Sequence, residues 1–545
     1  MNNKIPTEAA LKEFSAGLNS LKDSGGEIKF VVIPDIVLDV MVPVGRSYSQ
    51  FIGDLSAIYG KGGGSVPLEI PAYFSLGGNA AKVALTMGVM VPDGTLNGSI
   101  TFITRTGEEC RDIFQAFHKR EVEIPQRTPV ELIVDGRDIV VNGEPIAAKS
   151  RINTAIELST NNMQKGANII LSYGGDKGYK ADWLFTMQSG SNALSAVKNA
   201  TAIACCSAVP VVFELIKKKG LGEIYEETTV YFDTSFSISK LENSPKTGEQ
   251  IVEALAVKTP SGNPAVNYLS ANEQEIIVVA SVLAKKRLDA GALSQEAYDG
   301  MVGSESYGGY KVFRGTPYDA ALYVRRELGV GVILHTSDYM VIFETGAQGG
   351  ISNVVPSFEI EPKFRTGAGD TFNGGLFLAM EVMRKKGALT PEECLLIGTA
   401  TTCYYMETGK RPHAEDLRTF VQTHRLRELS MGTMQGIASP PNQLTQDQIN
   451  WTRNLIRAHN AKLPVAPQPF PALEIYDRAL IGRLNEKDAR MIIEALSGGR
   501  FELEVAGLPS ERERREKLET LKNVIRQEAR TAMRSGGMRR LATNR

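Results

Sequence analysis

Residues 28–40, IKFVVIPDIVLDV, form one continuous apolar run, the pattern expected of a strand buried on both faces of a parallel sheet. Similar runs recur at 168–173, 202–212, 229–232 and 331–334, separated by amphipathic helical patterns. That alternation predicts a doubly wound α/β domain, a mainly parallel sheet flanked by helices, with ligands at the carboxyl ends of its strands. Residues 131–147, ELIVDGRDIVVNGEPIA, differ, because DG and NG pairs punctuate short β-rich pieces. They predict an antiparallel hairpin flap.

The sheet pattern fades after residue 427, where SPPNQ and then LPVAPQPFPAL supply proline punctuation. Residues 1–27 read as a helical lead-in, 28–427 as the α/β domain and 428–545 as a mostly helical extension. Within the extension, helical patterns occupy 445–461, 486–496 and 511–533, and Leu518, Leu521, Ile525 and Ala529 share one face of the last. The extension is expected to pack on the main domain or on a second subunit, which leaves a homodimer open. Its basic end, MRSGGMRRLATNR, is short and lacks interleaved aromatics, so it reads as a solvated helix end and not as a nucleic-acid arm.

With 61 basic and 62 acidic residues among 545, the chain offers no electrostatic case for nucleic acid or membrane, and small-molecule partners are expected. Its five cysteines show no CxxC spacing, and Cys205 and Cys206 fall in an apolar run that reads as buried strand. A start without a signal-peptide pattern and the lack of a run of membrane-spanning length complete the expectation of a cytoplasmic protein.

Candidate chemistry concentrates in residues 365–380, RTGAGDTFNGGLFLAM, where a glycine-rich loop turns into an apolar helix. Gly367 and Gly369 allow close backbone approach to a ligand, and the first amides of the helix attract an anion. Asp370 stands at the same terminus, either as a base beside an anion hole or as a cap of the helix.

Two further motifs, GGNAAKVA at 77–84 and NEQE at 272–275, accompany GAGD at 367–370. In order and spacing the three resemble the PfkB/ribokinase family of carbohydrate kinases, over roughly residues 28 to 415. VVIPDIVLD at 31–39 and TVYFD at 229–233 are lesser matches to the same family. The resemblance implies a ribokinase-like fold with a small β-sheet lid, from parts of 41–75 and 131–175, over a sugar site. It implies phosphoryl transfer from ATP to a hydroxyl of a sugar or sugar derivative. Asp370 would be the general base, with the amides around Gly367, Ala368 and Gly369 stabilising the phosphoryl oxygens. Asn272 and Glu275 would help hold Mg²⁺ near the donor phosphates, and Asp39, Gly77, Gly78 and Asn79 would bind the sugar.

Three departures from that family bear on the substrates. Lys82 stands where the family usually has Asn; it suits an acidic or phosphorylated sugar, or else points to solvent. Residues 332–343, VILHTSDYMVIF, lack the TxGxxG element of ATP users, and His335 with Thr336 resembles the ADP-dependent sugar kinase branch. ATP is the expected donor and ADP the alternative. Phe364 and Arg365 replace the usual Asp and Thr, so that Arg365, followed by Thr366, either approaches donor phosphates or covers the loop. A nucleoside kinase remains the alternative within the enzyme class, and a catalytically silent sugar- or nucleotide-binding regulator the alternative outside it.

Overall fold

The computed structural model describes residues 6–23, 27–35, 37–43, 56, 73–91, 98–105, 130–135, 139–141, 144–146, 152–157, 168–173, 181–186, 190–346, 350–429 and 446–461. All belong to one compact unit, Met1–Lys462. The helical patterns at 486–496 and 511–533 lie outside the described residues.

The strands in chain order are β1 (Ile28–Ile33), β2 (Val37–Pro43), β3 (Tyr73–Gly77), β4 (Gly98–Arg105), β5 (Val130–Asp135), β6 (Ile139–Val141), β7 (Glu144–Ile146), β8 (Ile152–Glu157) and β9 (Asn168–Tyr173). They continue with β10 (Ala202–Cys205), β11 (Thr229–Asp233), β12 (Tyr268–Ala271), β13 (Val302–Tyr307), β14 (Tyr310–Phe313), β15 (Gly331–His335), β16 (Tyr339–Phe343) and β17 (Val355–Pro356). Nine of them form one sheet in the order β17-β16-β15-β12-β11-β10-β1-β4-β5. The seven from β15 to β5 are parallel, and β16 and β17 add an antiparallel edge. This is the doubly wound, mainly parallel architecture expected from the hydrophobic pattern.

Its cause is burial on both faces. Val31 and Ile33 of β1 enter one core, while Ile28, Phe30 and Val32 enter the other, and Val332 and Leu334 oppose Ile333 on β15 in the same way. The first core is covered by helices that include Pro210–Gly220, Glu273–Asp289 and Pro317–Leu328. The second is covered by Pro6–Asp23, Asn79–Met90, Ala368–Lys386, Pro391–Thr408 and Ala414–Thr423. Leu455, from the helix Gln446–Asn460, joins this second core, and Thr452 of that helix donates to the Val354 carbonyl at 2.9 Å.

The helix Ala368–Lys386 is the best anchored of these. Tyr231 of β11 stacks on its Phe377 at 4.4 Å between ring centroids, and also on Phe30 and Tyr268. One turn on, the buried Glu381 carboxylate accepts the Tyr231 hydroxyl at 3.0 Å and pairs with Arg384 at 2.6 Å. The two adjacent glycines of TFNGG serve packing. A Cβ at Gly374 would lie 2.6 Å from Thr86 Cβ and 3.0 Å from the Val83 carbonyl, and one at Gly375 would lie 2.6 Å from Thr401 Oγ1. Gly374 therefore admits the helix Asn79–Met90 on one side, and Gly375 admits Pro391–Thr408 on another.

A second, four-stranded sheet has the order β3-β2-β8-β9. The strands depart from the hydrophobic reading at four places. The run 28–40 is two strands, because Pro34 has no N–H to continue the ladder and the chain leaves the main sheet there; β2 then pairs with β3 and β8. The run at 168–173 belongs to this small sheet, antiparallel to β8, and not to the main one. Within 131–147, only β6 and β7 form a hairpin, with Val141 opposite Glu144, while β5 is the edge of the main sheet, parallel to β4. The run 202–212 also shortens to β10, since Pro210 opens a helix whose first turn needs no amide from it.

Gly374→Ala gains helix propensity but overfills a contact that includes backbone. We expect a net loss of about 1–3 kcal/mol, read as a lower urea midpoint with unchanged slope; an unchanged or raised midpoint would show that the contact can relax.

Candidate functional site

Chain order reverses at β1, whose neighbours are β4 on one side and β10 on the other, so the crevice of the sheet opens at the carboxyl ends of β1 and β10. Two helix starts meet there. The helix Asn79–Met90 is tied to β1 through Asp35, whose carbonyl accepts from the Ala81 amide at 3.2 Å and whose carboxylate accepts from Ala80 at 3.4 Å. It is tied to β10 through the Asn79 carboxamide, which donates to the Cys206 carbonyl at 3.3 Å and to the Ser235 hydroxyl. Gly78 caps this helix at φ 88°, a conformation that glycine adopts without strain.

The second start is GAGD. Gly367 is the N-cap at φ 93°, and Asp370, 8 % exposed, lies in the first turn. The turn is held from behind by its carbonyls. Thr366 O accepts the Tyr405 hydroxyl at 2.7 Å, Gly367 O the Thr371 hydroxyl at 2.8 Å, and Ala368 O the Thr402 hydroxyl at 2.8 Å. Three consecutive carbonyls thus turn onto the protein, the arrangement that presents an amide face on the other side. The Ala368 amide is itself committed to the Arg365 carbonyl at 3.1 Å, so the amide face rests on Gly367, Gly369 and Asp370.

Lys82 belongs to the same place. It is 4 % exposed and so does not point to solvent. Its Nζ lies 2.9 Å from where a Cβ of Gly367 would sit. His335, at the end of β15, approaches from another side, with Cε1 3.4 Å from the Cβ position of Gly369 and its ring 5.1 Å from Phe372. Its Nε2 is shielded from solvent and has no partner among the described residues, and burial lowers its pKa to about 4, leaving the ring neutral at physiological pH. The neighbouring Thr336 hydroxyl is occupied by the β15–β16 turn, donating to Tyr339 O at 2.7 Å and accepting from the Asp338 and Tyr339 amides.

NEQE forms a capping box that opens the helix Glu273–Asp289. The Asn272 side chain accepts from the amides of Gln274 and Glu275, and Glu275 Oε2 accepts from the Asn272 amide at 2.9 Å. Glu275 is nevertheless no surface charge. It is buried, and desolvation pushes its pKa up to about 7 against the opposing Asn272 amide and Lys240 charge, with smaller upward contributions from the charges of Asp370 and Glu273.

Asp233 joins these acids from the end of β11, a residue quoted in TVYFD but not expected in the site. Burial, then the charges of Glu275 and Asp370, hold its carboxyl well above the usual range. It accepts Asn373 Nδ2 at 2.7 Å and the Ser235 amide at 2.9 Å, and Asn373 in turn accepts the Ser270 hydroxyl at 2.7 Å. Ser235 adopts φ 49°, a strained value for a residue with a side chain, and its hydroxyl links Asp233 to Asn79. Asp35, within VVIPDIVLD, and Asn373, within TFNGG, lay in quoted motifs but were not singled out, and Ser235 had no signal, because a polar residue inside an apolar pattern does not name its partner.

Asp39 is on β2 and not at the end of the first strand; its backbone pairs with Ser75 and Asn153 in the small sheet, and Gly77 ends β3 opposite Val37. Asp35 occupies the place just after β1. Arg365 is half-buried in the approach to the GAGD turn, behind Phe364, whose ring packs on Gly409. Among the described residues no group of three or more His, Cys, Asp or Glu could by itself hold a metal ion, and no helix is long and apolar enough to cross a membrane. Carboxylates offered singly suit Mg²⁺, which keeps several waters and uses one or two carboxylates together with substrate phosphates.

No protein-family model and no curated protein matches the chain. Among solved structures it is similar to a nucleoside kinase of Methanocaldococcus jannaschii, an archaeal member of the ribokinase family, with 14 % identity over 72 % of this chain and 98 % of that one and a TM-score of 0.41. It is similar to the ribokinase of Cryptococcus neoformans in complex with ADP (13 %, 72 % and 98 %, TM-score 0.42) and to the adenosine kinase of Sinorhizobium meliloti (13 %, 72 % and 97 %, TM-score 0.42). Function has to be read from the residues of the site, since a fold hosts many activities.

The raised pKa of Glu275 has a consequence for stability. Below about pH 4.5 the carboxyl is protonated in both folded and unfolded chains; between there and about 7 only the unfolded chain releases its proton, so stability falls as pH rises through this window. Glu275→Gln keeps an acceptor for the Asn272 amide and removes that penalty. Its unfolding free energy, from urea titration, should match that of the native chain near pH 4.5 and exceed it at pH 8 by roughly 1–3 kcal/mol; equal values at both pH values would contradict the assignment.

Proposed function

We propose that the chain is a kinase that transfers a phosphoryl group from a nucleotide to a hydroxyl of a sugar or sugar derivative. The observation that carries this reading is Asp370, buried in the first turn of a helix whose entry turn is fixed by its carbonyls, with its charge felt at Asp233 and Glu275. Phosphoryl transfer requires an oriented hydroxyl, an acceptor for its proton and dipoles or charges around the transferring group. Asp370 takes the proton. The amides of Gly367 and Gly369, at the positive end of the helix, face the phosphoryl oxygens, while Ala368 shapes the turn.

Acceptor recognition falls to Asn79, Gly78 and Gly77 at the other helix start and to Asp39 on the small sheet. That sheet is the natural lid, excluding water from the transferring group. The nucleotide lies along His335 and Arg365, beside Thr366 and the turn that Thr336 closes. ATP is the donor favoured by the GAGDTFNGG helix, and ADP is the alternative favoured by His335. Glu275, positioned by Asn272, would hold Mg²⁺, which when bound offsets the charge of the donor phosphates.

Two measurements test the reading. Turnover of sugars, sugar phosphates and nucleosides with Mg²⁺ and either ATP or ADP should identify an acceptor; complete inactivity with ligand binding retained would move the chain to the silent, regulatory class. On that acceptor, Asp370→Asn should lower kcat by about 10²–10⁴-fold while the acceptor's Kd, from calorimetry, changes little. Near-native turnover would remove Asp370 as the base.

A further inference from the structure

Lys82 was expected either to read a charge on the acceptor or to face solvent, and its burial removes the second of these. An α-helical side chain leans toward the start of its own helix, so Lys82 extends from the helix Asn79–Met90 toward the crevice. The two helices are brought together at Gly374, which meets Thr86 and Val83 one turn further along. That approach delivers the Lys82 ammonium to Gly367, within 2.9 Å of its Cβ position, while Cδ and Cε lie at 2.6 and 3.0 Å. Gly367 is the N-cap of the GAGD helix at φ 93°, a conformation that strains any residue with a side chain, and a Cβ there would displace the end of Lys82. A second side chain reaches the same turn: His335, whose Cε1 lies 3.4 Å from the Cβ position of Gly369 and whose Nε2 is shielded and without a partner among the described residues. Held neutral by burial, it is available to a ligand as a hydrogen-bonding group and not as a charge.

We infer that Lys82 is a catalytic residue that binds the transferring phosphoryl group at the GAGD turn, and does not select among acceptors. This rests on the kinase reading and deepens it. In the transfer, the bond from the donor's bridging oxygen to phosphorus breaks as the acceptor oxygen bonds to phosphorus. The electron pair leaves with the nucleotide product, and the acceptor proton goes to Asp370. Lys82 neither gives nor takes a proton. Its ammonium, buried where water cannot screen it, lies against the non-bridging oxygens beside the amides of Gly367 and Gly369. A lysine serves here as a compact point charge on a long stem, able to follow the phosphoryl group from donor to acceptor.

The test compares the full-length native chain with Lys82→Met and Lys82→Arg, using a neutral and a phosphorylated acceptor identified in the turnover screen, or two acceptors of different charge. Lys82→Met should lower kcat by about 100-fold or more, by the same factor on both acceptors, with acceptor KM within about threefold; Lys82→Arg should recover part of the loss. Calorimetry supplies a readout independent of turnover: aluminium fluoride, a mimic of the phosphoryl group in flight, should tighten Mg·ADP binding to the native chain and not to Lys82→Met. Thermal unfolding of both variants separates a folding defect, which arginine would not relieve selectively in kcat. A loss confined to KM for the phosphorylated acceptor would return Lys82 to acceptor recognition and overturn the inference alone, as would native kcat in Lys82→Met. A native chain with no turnover on any acceptor would remove the kinase reading, and this inference with it.

Discussion

The close approach of the helices Asn79–Met90 and Ala368–Lys386 sets the geometry of everything at the crevice. Gly374 makes it possible, since backbone and a threonine methyl occupy the space where any larger residue would extend. The contact lies well inside the second core, among side chains with no exposure, so its position is fixed by close packing and cannot drift. One consequence is that two helix N-termini open onto one volume. Another is that a lysine from one helix reaches the cap of the other. The stack of Tyr231 on Phe377 and the buried Tyr231–Glu381–Arg384 contacts hold the far end of the same helix to the sheet.

Around this contact the site is assembled from side chains that hold backbone and from acids that hold each other. Tyr405, Thr371 and Thr402 fix the carbonyls of Thr366, Gly367 and Ala368, and none of them needs to touch a ligand to matter. The chain Ser270, Asn373, Asp233, Ser235 and Asn79 links two strand ends, the GAGD helix and the other helix start through buried and part-buried hydrogen bonds. Such a network is stable only when every member is satisfied, which makes it a strong specifier of one arrangement. The strained backbone at Ser235 is the local cost of that arrangement.

Much of the architecture was legible in the sequence because strands buried on both faces leave unbroken apolar runs. The runs did not say where the chain leaves one sheet for another. Pro34 was visible inside 28–40, yet the pattern continued across it, because β2 is also apolar, and Asp39 was consequently placed on the wrong strand. β5 read as part of a flap for a related reason: DG at 135–136 follows it just as NG follows β6, and only pairing with β4 separates the two. GAGD, NEQE and GGNAAKVA were legible as helix starts, since glycine and capping patterns are local. The direction of Lys82, the burial of Glu275 and the part played by Asp233 and Asn373 were not, because each is decided by residues distant in the chain.

The crowding of Asp233, Glu275 and Asp370 also changes what it means for this site to be filled. Asp233 and Glu275 keep protons at pH values where isolated carboxyls have lost them, because burial and mutual repulsion disfavour a second and third negative charge. Any ligand that brings positive charge among them lowers the cost of ionisation and so expels those protons. Ligand capture is thereby exchanged against hydrogen ions, and the affinity of the crevice for a cation becomes a property of the surrounding pH as much as of its shape.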